Sequence, residues 1–300
     1  MVSEVLDALQ PRAGGKVLDG TLGGAGHAAA ILRASAPDGR LFGMDRDEVA
    51  IEAARSRLAE FGERFELKRG NYSEMAEWLG PGSCDGVLLD LGVSSPQLDW
   101  AERGFSFQND GPLDMRMDQR QPLTAADLVN QTDEQELAAV FWKLGEERQS
   151  RRFAREIVAQ RAARPFRTTK ELADLIERLA PRHGKRTHPA TQVFQALRMA
   201  VNDELGSLSR GLEAALKVLK HGGRLAVITF QSLEDRLVKD FGKERTRDYT
   251  FEGEVDVPEL RKPRVPEMRW VQRKAIQPNA EEQELNPRSR SAQLRVLERI

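Results

Sequence analysis

Two acidic residues flank a glycine-rich segment near the start of the chain, and their spacing suggests a cofactor site. The segment reads Asp19-Gly20-Thr21-Leu22-Gly23-Gly24-Ala25-Gly26-His27, after the short apolar run Lys16-Val17-Leu18. A strand that turns sharply into a helix needs glycine, which takes positive φ and lets a ligand approach the backbone. The helix that follows offers unpaired N–H groups in its first turn. Asp45 ends a second apolar run, Arg40-Leu41-Phe42-Gly43-Met44. A carboxylate there can accept hydrogen bonds from both hydroxyls of a ribose, and Asp19 is positioned to meet an ammonium group. The loop alone is ambiguous: Gly24-Ala25-Gly26-His27-Ala28-Ala29 also fits the dinucleotide pattern G-x-G-x-x-A, and a turn with no ligand is a third reading. A cofactor with a ribose and an amino-acid ammonium but no pyrophosphate uses both acids. S-adenosylmethionine has that chemistry. A nicotinamide dinucleotide would use Asp45 but give Asp19 no partner, so an oxidoreductase stands as the rival.

A second constellation follows the apolar run Gly86-Val87-Leu88-Leu89-Asp90, in Leu91-Gly92-Val93-Ser94-Ser95-Pro96-Gln97. Ser94-Ser95-Pro96 resembles the Ser/Asn/Asp-Pro-Pro-aromatic motif of enzymes that methylate exocyclic amines of bases. Such an amine is a weak nucleophile because its lone pair is delocalised into the ring. A hydroxyl and a carbonyl in a proline-stiffened turn can hold its N–H groups so that the lone pair faces a methyl donor, and acceleration then comes largely from positioning. Ser94, Ser95 and Asp114 are the candidates for orienting the amine or taking its proton. Methylation at carbon 5 of cytosine would need a cysteine nucleophile. Cys84, the single cysteine, precedes the strand instead of following it and reads as a small buried residue. Glu102–Asp118 concentrates charge, aromatics and methionine. It reads either as a salt-bridged crossover or as a lid that stacks Phe105 or Phe107 on a base.

The elements that must position these residues alternate apolar runs with amphipathic stretches, the pattern of βαβ units. The expectation is an α/β fold: a Rossmann-like sheet, mostly parallel, with an antiparallel edge hairpin and an inserted helical domain. Strands are expected at 16–19, 40–45, 65–68, 86–90 and 224–230, with an edge pair at 270–275 and 293–298. Helices are expected at 27–34, 47–61, 73–79 with Ser73 as N-cap, 125–144, 148–161, 170–180, 189–205, 207–219 and 233–241, with Gly222-Gly223 as a break. The domain reading is a methyltransferase core in two parts, 1–105 and 201–300, around a substrate-binding insert at 106–200.

Bulk properties narrow the class. The 300 residues are 40% hydrophobic with net charge −1, as for a soluble globular chain. No membrane span or secretory leader is legible. One cysteine excludes a disulfide framework or a Cys-ligated cluster, and no His spacing points to a metal. A cytoplasmic setting fits. Residues 143–198 hold 14 Lys and Arg against 6 Asp and Glu, which reads as solvated helix faces or as a surface for phosphates. Arg148, Arg151, Arg152 and Arg155 fall at helical spacing and could form one basic face.

At this point the sequence resembles the bacterial ribosomal RNA small-subunit methyltransferase H family (RsmH, formerly MraW). The resemblance is carried by Asp19–His27, Asp85–Asp99, Glu102–Asp118, Gly145–Arg148, His188–Thr191, Phe194–Arg198, Ser232–Arg236 and Asn286–Ser291. It implies a class I methyltransferase that uses S-adenosylmethionine on the N4 amine of a cytidine in the decoding region of small-subunit ribosomal RNA. A flipped or single-stranded base is expected, because the target must leave its stack. By position, the resemblance implies cofactor contacts from Ala25, Gly26 and His27, to which the reading of the glycine loop itself adds Gly23 and Gly24, a ribose contact from Asp45, and an aromatic contact beside the adenine from Tyr72. Asp90 and Gln97 are implied as further contacts. The implied partner is the small ribosomal subunit, and a homodimer is the assembly considered.

Two departures stand out. Family members usually carry His-x-Pro-Val just before the Glu-Val-Leu found here at Glu4-Val5-Leu6, whereas this sequence reads Met1-Val2-Ser3. Gln231 stands where the family commonly has His, so a proton carrier there is not expected; support of structure or a substrate contact is. His183 and His188 read as polar surface residues of the insert, and His221 as a cation at a helix end. A non-catalytic ribosome-assembly or RNA-binding protein, and the same chemistry on DNA, are the other rivals.

Overall fold

The computed structural model describes residues 1–182, 184, 188–251 and 256–300. The chain divides into two compact units, residues 1–92 with 205–300, and residues 93–204. His183 lies outside the described residues.

The first unit opens with helix α1 (Val2–Leu9), for which the sequence reading gave no element. Strand β1 (Lys16–Asp19) leads through the glycine segment into α2 (Gly26–Ala34). Next come β2 (Arg40–Asp45), α3 (Glu48–Leu58, capped by Asp47), β3 (Phe65–Arg69), α4 (Met75–Leu79) and β4 (Cys84–Asp90). Two expectations need correcting here. The helix expected to 61 ends at Leu58 and tightens into a 3-10 turn over Ala59–Arg64. Ser73 is not an N-cap; Asn71 caps a 3-10 turn over Tyr72–Glu74 that leads into α4, its side chain accepting the Ser73 N–H.

The second unit is helical: α5 (Ser95–Asp99), α6 (Ala125–Gln131), α7 (Glu134–Gly145), α8 (Ser150–Ala163), α9 (Thr169–Leu179) and α10 (Thr191–Val201). The single helix expected at 125–144 is two. Asp133 accepts from the N–H groups of Gln135 and Glu136 and starts α7 afresh, a cap hidden inside an amphipathic pattern. Residues 93–105 fall in this unit, although the sequence reading assigned them to the core. Val93, Leu98 and Phe105 pack on its centre, around Phe141, Phe153, Phe166 and Leu197.

The chain returns to the first unit through α11 (Glu204–Val218), β5 (Leu219–Thr229) and α12 (Ser232–Arg245). The ribbon β6 (Tyr249–Phe251) and β7 (Arg261–Pro263), then β8 (Met268–Ile276), α13 (Ala280–Leu285) and β9 (Gln293–Arg299) complete it. Gly222-Gly223 does not break the strand. Cys84 pairs with Leu219 and Gly86 with Arg224, so residues 220–223 bulge between them. His221 therefore sits on β5 and not at the helix end.

The seven-stranded sheet has the order β3-β2-β1-β4-β5-β9-β8. The pairs from β3 to β5 are parallel; β5–β9 and β9–β8 are antiparallel. This is the expected mostly parallel sheet with its antiparallel edge hairpin. Side chains alternate between two apolar layers. Val17, Leu41, Leu88 and Ala226 face one, Leu18, Met44, Val87, Leu89 and Val227 the other. Burial on both faces explains why these strands read as continuous apolar runs. The order reverses between β1 and β4, and ligands bind such sheets at the strands' carboxyl ends near that switch.

Candidate functional site

The glycine segment is pinned from three sides. Gly20 N–H donates to Leu88 O on β4 (2.9 Å), Leu22 N–H to Met44 O on β2 (3.1 Å) and Gly23 N–H to Asp45 Oδ2 (2.9 Å). Thr21 locks the two loops together, since its hydroxyl accepts the Asp90 N–H at 2.6 Å. Arg57 donates to Gly24 O at 2.9 Å. A Cβ on Gly20 would lie 2.7 Å from Leu89 Cδ2 and 2.9 Å from Tyr72 Cβ, so only glycine fits. Gly23 and Ala25 hold left-handed backbone, φ 47° and 55°, a conformation that costs an L side chain about 1–2 kcal/mol. Beyond them the space is open: a Cβ on Gly24 or Gly26 would meet nothing within 4 Å. The backbone is thus held in a strained turn with an empty approach on one side.

Three titratable side chains converge beneath this turn. Asp19, at 1% exposure, accepts the Thr21 N–H on Oδ1, while its Oδ2 is buried without a partner among the described residues. His27 Nε2 lies 3.4 Å from Asp90 Oδ2; His27 Nδ1 and Asp90 Oδ1 are also buried and find no partner among the described residues. Buried polar atoms in native proteins are normally satisfied, so three such atoms around one loop fit a turn that receives a polar ligand. Burial pushes the Asp19 carboxyl up to about 6, against the pull of His27 and the Thr21 hydrogen bond. For His27, burial disfavours the cation, but the hydrogen bond and charge of Asp90, with Asp19 behind, outweigh it and raise the pKa.

Asp45 accepts from Gly23 N–H on Oδ2 and from Asp47 N–H on Oδ1, both at 2.9 Å. Burial pushes its carboxyl up to about 6 as well, with the two backbone donors opposing. Each oxygen retains a lone pair for a ribose hydroxyl. Tyr72 is buried, and a Cβ on Gly211 of α11 would lie 2.5 Å from its ring. Its ring edge therefore rests on helix backbone. Ser207 of α11 accepts from Arg46 (3.1 Å) and Asn71 (2.9 Å), tying the helix to the ends of β2 and β3.

The remaining predicted residues belong to the second unit. Ser94 caps α5, and buried Gln97 turns back so that its Oε1 accepts the Ser94 N–H at 3.0 Å. Gln97 thereby shapes the Ser94-Ser95-Pro96 turn. Asp114 is clasped by Arg116, Oδ1 accepting from Nε (2.8 Å) and Oδ2 from Nη2 (2.7 Å). The lid expectation for Glu102–Asp118 is overturned. Phe105, Leu113, Met115 and Met117 are core residues, and Arg103 donates to Arg116 O and Met117 O. Phe107 packs between His188 (4.6 Å) and Phe194 (4.8 Å). Neither ring is free to stack on a base, because both are needed to fill this unit's core. His188 is structural too: its Nδ1 accepts the Ala190 N–H (3.1 Å), and burial with nearby Arg182 lowers its pKa.

Two further expectations are resolved. Cys84 is fully buried at the start of β4 and its thiol is pushed up to about 11 by burial, so it is no nucleophile. Gln231 is the N-cap of α12, where Glu234 Oε2 accepts the Gln231 N–H at 3.1 Å. Sequence reasoning missed Thr21 and Arg57; a threonine after Asp-Gly was the one local signal for the first.

A family model described as the MraW methylase family matches residues 1–300. The chain belongs to the MraW methylase family. It is 50% identical to a ribosomal RNA small subunit methyltransferase H of Symbiobacterium thermophilum, covering 100% of this chain and 95% of that protein. The same name is carried by a Geobacter sulfurreducens protein, 52% identical over 100% of this chain and 97% of its own. This methylase takes its methyl group from S-adenosylmethionine, and the first unit's residues fit that cofactor. Asp19 offers a lone buried acceptor for an ammonium, Asp45 a ribose acceptor, and Gly24 and Gly26 leave room for a ligand at the turn.

Proposed function

We propose that the chain transfers the methyl group of S-adenosylmethionine to the N4 amine of a cytidine in the decoding region of small-subunit ribosomal RNA, acting on the small ribosomal subunit in the cytoplasm. The observation that carries the cofactor half is the unpartnered Asp19 Oδ2 beneath the strained turn. The acceptor half rests on the stiffened Ser94-Ser95-Pro96 turn and on the names of the relatives.

The bound cofactor supplies an electrophilic methyl sulfonium. Asp19 holds its ammonium, Asp45 its ribose hydroxyls, and the segment from Gly23 to His27 frames it, with Tyr72 beside the adenine and Asp90 and Gln97 as further contacts. Ser94 and Ser95 orient the acceptor amine through a hydroxyl and a carbonyl. Direct displacement moves the methyl group from sulfur to nitrogen, leaves S-adenosylhomocysteine, and sheds one N4 proton to solvent or to Asp114. The grip of Arg116 on both Asp114 oxygens favours solvent. The second unit, with its basic excess, binds the RNA. A homodimer belongs to the same proposal and is tested by sedimentation.

The deciding experiment is digestion and mass spectrometry of ribosomal RNA from cells with and without the protein. Loss of N4-methylcytidine is expected; an unchanged signal refutes the substrate. Labelled cofactor with immature subunits, in competition with duplex DNA, separates RNA from DNA chemistry and turnover from mere binding.

A further inference from the structure

We propose that a single strand of RNA docks on the second unit where α7 meets α8, with Trp142 stacking on a base and Lys143, Arg148, Arg151 and Arg152 meeting its phosphates. This rests on the ribosomal RNA substrate proposed above and names the surface that the RNA uses.

The basic excess of residues 143–198 is not spread evenly. Much of it is already neutralised: Arg164 pairs with Glu171 (2.7 Å), Lys170 with Asp174 (3.0 Å), Arg182 with Glu177 (2.9 Å) and Arg198 with Glu204 (2.8 Å). Arg155 has Glu156 at 3.6 Å. Lys143, Arg148, Arg151 and Arg152 make no ion pair among the described residues, and all four are exposed. They cluster because only residues 146–149 separate the end of α7 from the start of α8, and the two helices pack together. The acids nearby are Glu146, Glu147 and Glu156. Glu147 is buried and accepts the Gln149 N–H at 2.7 Å; with Arg155 counted, five cations stand against these three carboxylates, so the local charge is positive.

Trp142 directly precedes Lys143 in the last turn of α7, at 58% exposure, the most exposed of the large aromatics among the described residues. The core does not need it. Leu137, Ala138, Phe141 and Gly145 form the buried face of α7, and Phe153, Ala154 and Ile157 that of α8. An exposed indole at the end of α7, with guanidinium groups that make no ion pair at the start of α8 (Arg152 donates only to Gln149 Oε1, 3.1 Å), matches the way single strands are bound: bases stack on an aromatic face while cations follow the backbone. Arginine adds a planar fork that fits phosphate oxygens.

The test uses the full chain and a short fluorescein-labelled single-stranded RNA, with anisotropy followed across salt concentrations. Replacing Arg148, Arg151 and Arg152 together by Gln should lower the salt slope by about 2, at roughly 0.7 per phosphate contact. Trp142→Ala should weaken binding about tenfold at fixed salt, and Trp142→Phe should largely restore it. Lys170→Gln removes a neutralised charge and should leave the slope unchanged. Circular dichroism melts verify that each variant is folded. A triple variant with the wild-type slope, or Trp142→Ala with wild-type affinity, overturns the proposal. Methyl transfer to immature subunits separates the two readings. Wild-type protein without turnover refutes the substrate; turnover with wild-type KM in these variants refutes the docking surface alone.

Discussion

Replacing Asp19 by Asn should change how stability depends on pH, in a direction opposite to the usual behaviour of a paired carboxylate. The folded Asp19 carboxyl sits at about 6 because burial opposes its charge, against 3.8 for the ordinary group. Below pH ~3 the group is protonated in both states and contributes nothing. As pH rises, the unfolded chain ionises first, so the native state binds more protons and loses stability. The loss is complete above about 6 and amounts to about 3 kcal/mol, at about 1.4 kcal/mol per pH unit. Asn keeps an oxygen for the Thr21 N–H but cannot ionise. Relative to wild type, Asp19→Asn should therefore be about 2.5 kcal/mol more stable at pH 7.5 than it is at pH 4, whatever fixed cost its buried amide adds. Urea unfolding without cofactor measures this. Trp100→Phe and Trp142→Phe in the background leave the first unit's Trp78 and Trp270 as reporters. Parallel stability–pH curves for the two proteins would refute the assignment of a buried, unpaired anion. Such an anion destabilises the protein without cofactor and is tolerated where a ligand's ammonium satisfies it.

Affinity for S-adenosylmethionine should follow the same protons with the opposite sign. Ionised Asp19 is the binding form, so titration calorimetry should show affinity rising through pH 6 and levelling above it, about tenfold weaker at pH 5 than at pH 8. Asp45, also pushed up to about 6, should add a second factor of similar size. Asp45→Ala removes a ribose acceptor and releases Gly23 and Asp47, so the Kd should rise by roughly 2–4 kcal/mol, or 30- to 1,000-fold; unchanged affinity would refute the ribose role. Gly211→Ala forces a methyl group against the Tyr72 ring and should destabilise the first unit by about 1–3 kcal/mol in urea, despite alanine's better helix propensity.

The parallel sheet was legible because strands buried on both faces write long apolar runs, as at Val87-Leu88-Leu89. What the sequence hid was local backbone chemistry. Asp133 restarts a helix within an unbroken amphipathic pattern, and at residues 220–223 the glycine pair marks an irregularity without telling a bulge inside a strand from a break before one. In the site, Asp19 and Asp45 could be picked out because each ends an apolar run. The approach of His27 to Asp90 joins residues far apart in the chain and exists only once β1 and β4 pair. Phe105 and Phe107 misled for the converse reason: aromatics in a polar, glycine-rich segment look available, but the segment supplies the second unit's core.

The position of the insert between β4 and β5 also has a consequence during synthesis. β4 leaves the ribosome with β1 as its neighbour, and its other edge then waits for β5 while residues 93–204 are made, on the order of ten seconds at bacterial elongation rates. The helical unit can fold in that interval as a continuous stretch of chain, whereas the sheet cannot close. An apolar strand with one open edge is a target for wrong pairing. The nascent chain is therefore most vulnerable to aggregation, and most in need of a chaperone, between the emergence of Asp90 and that of Thr229.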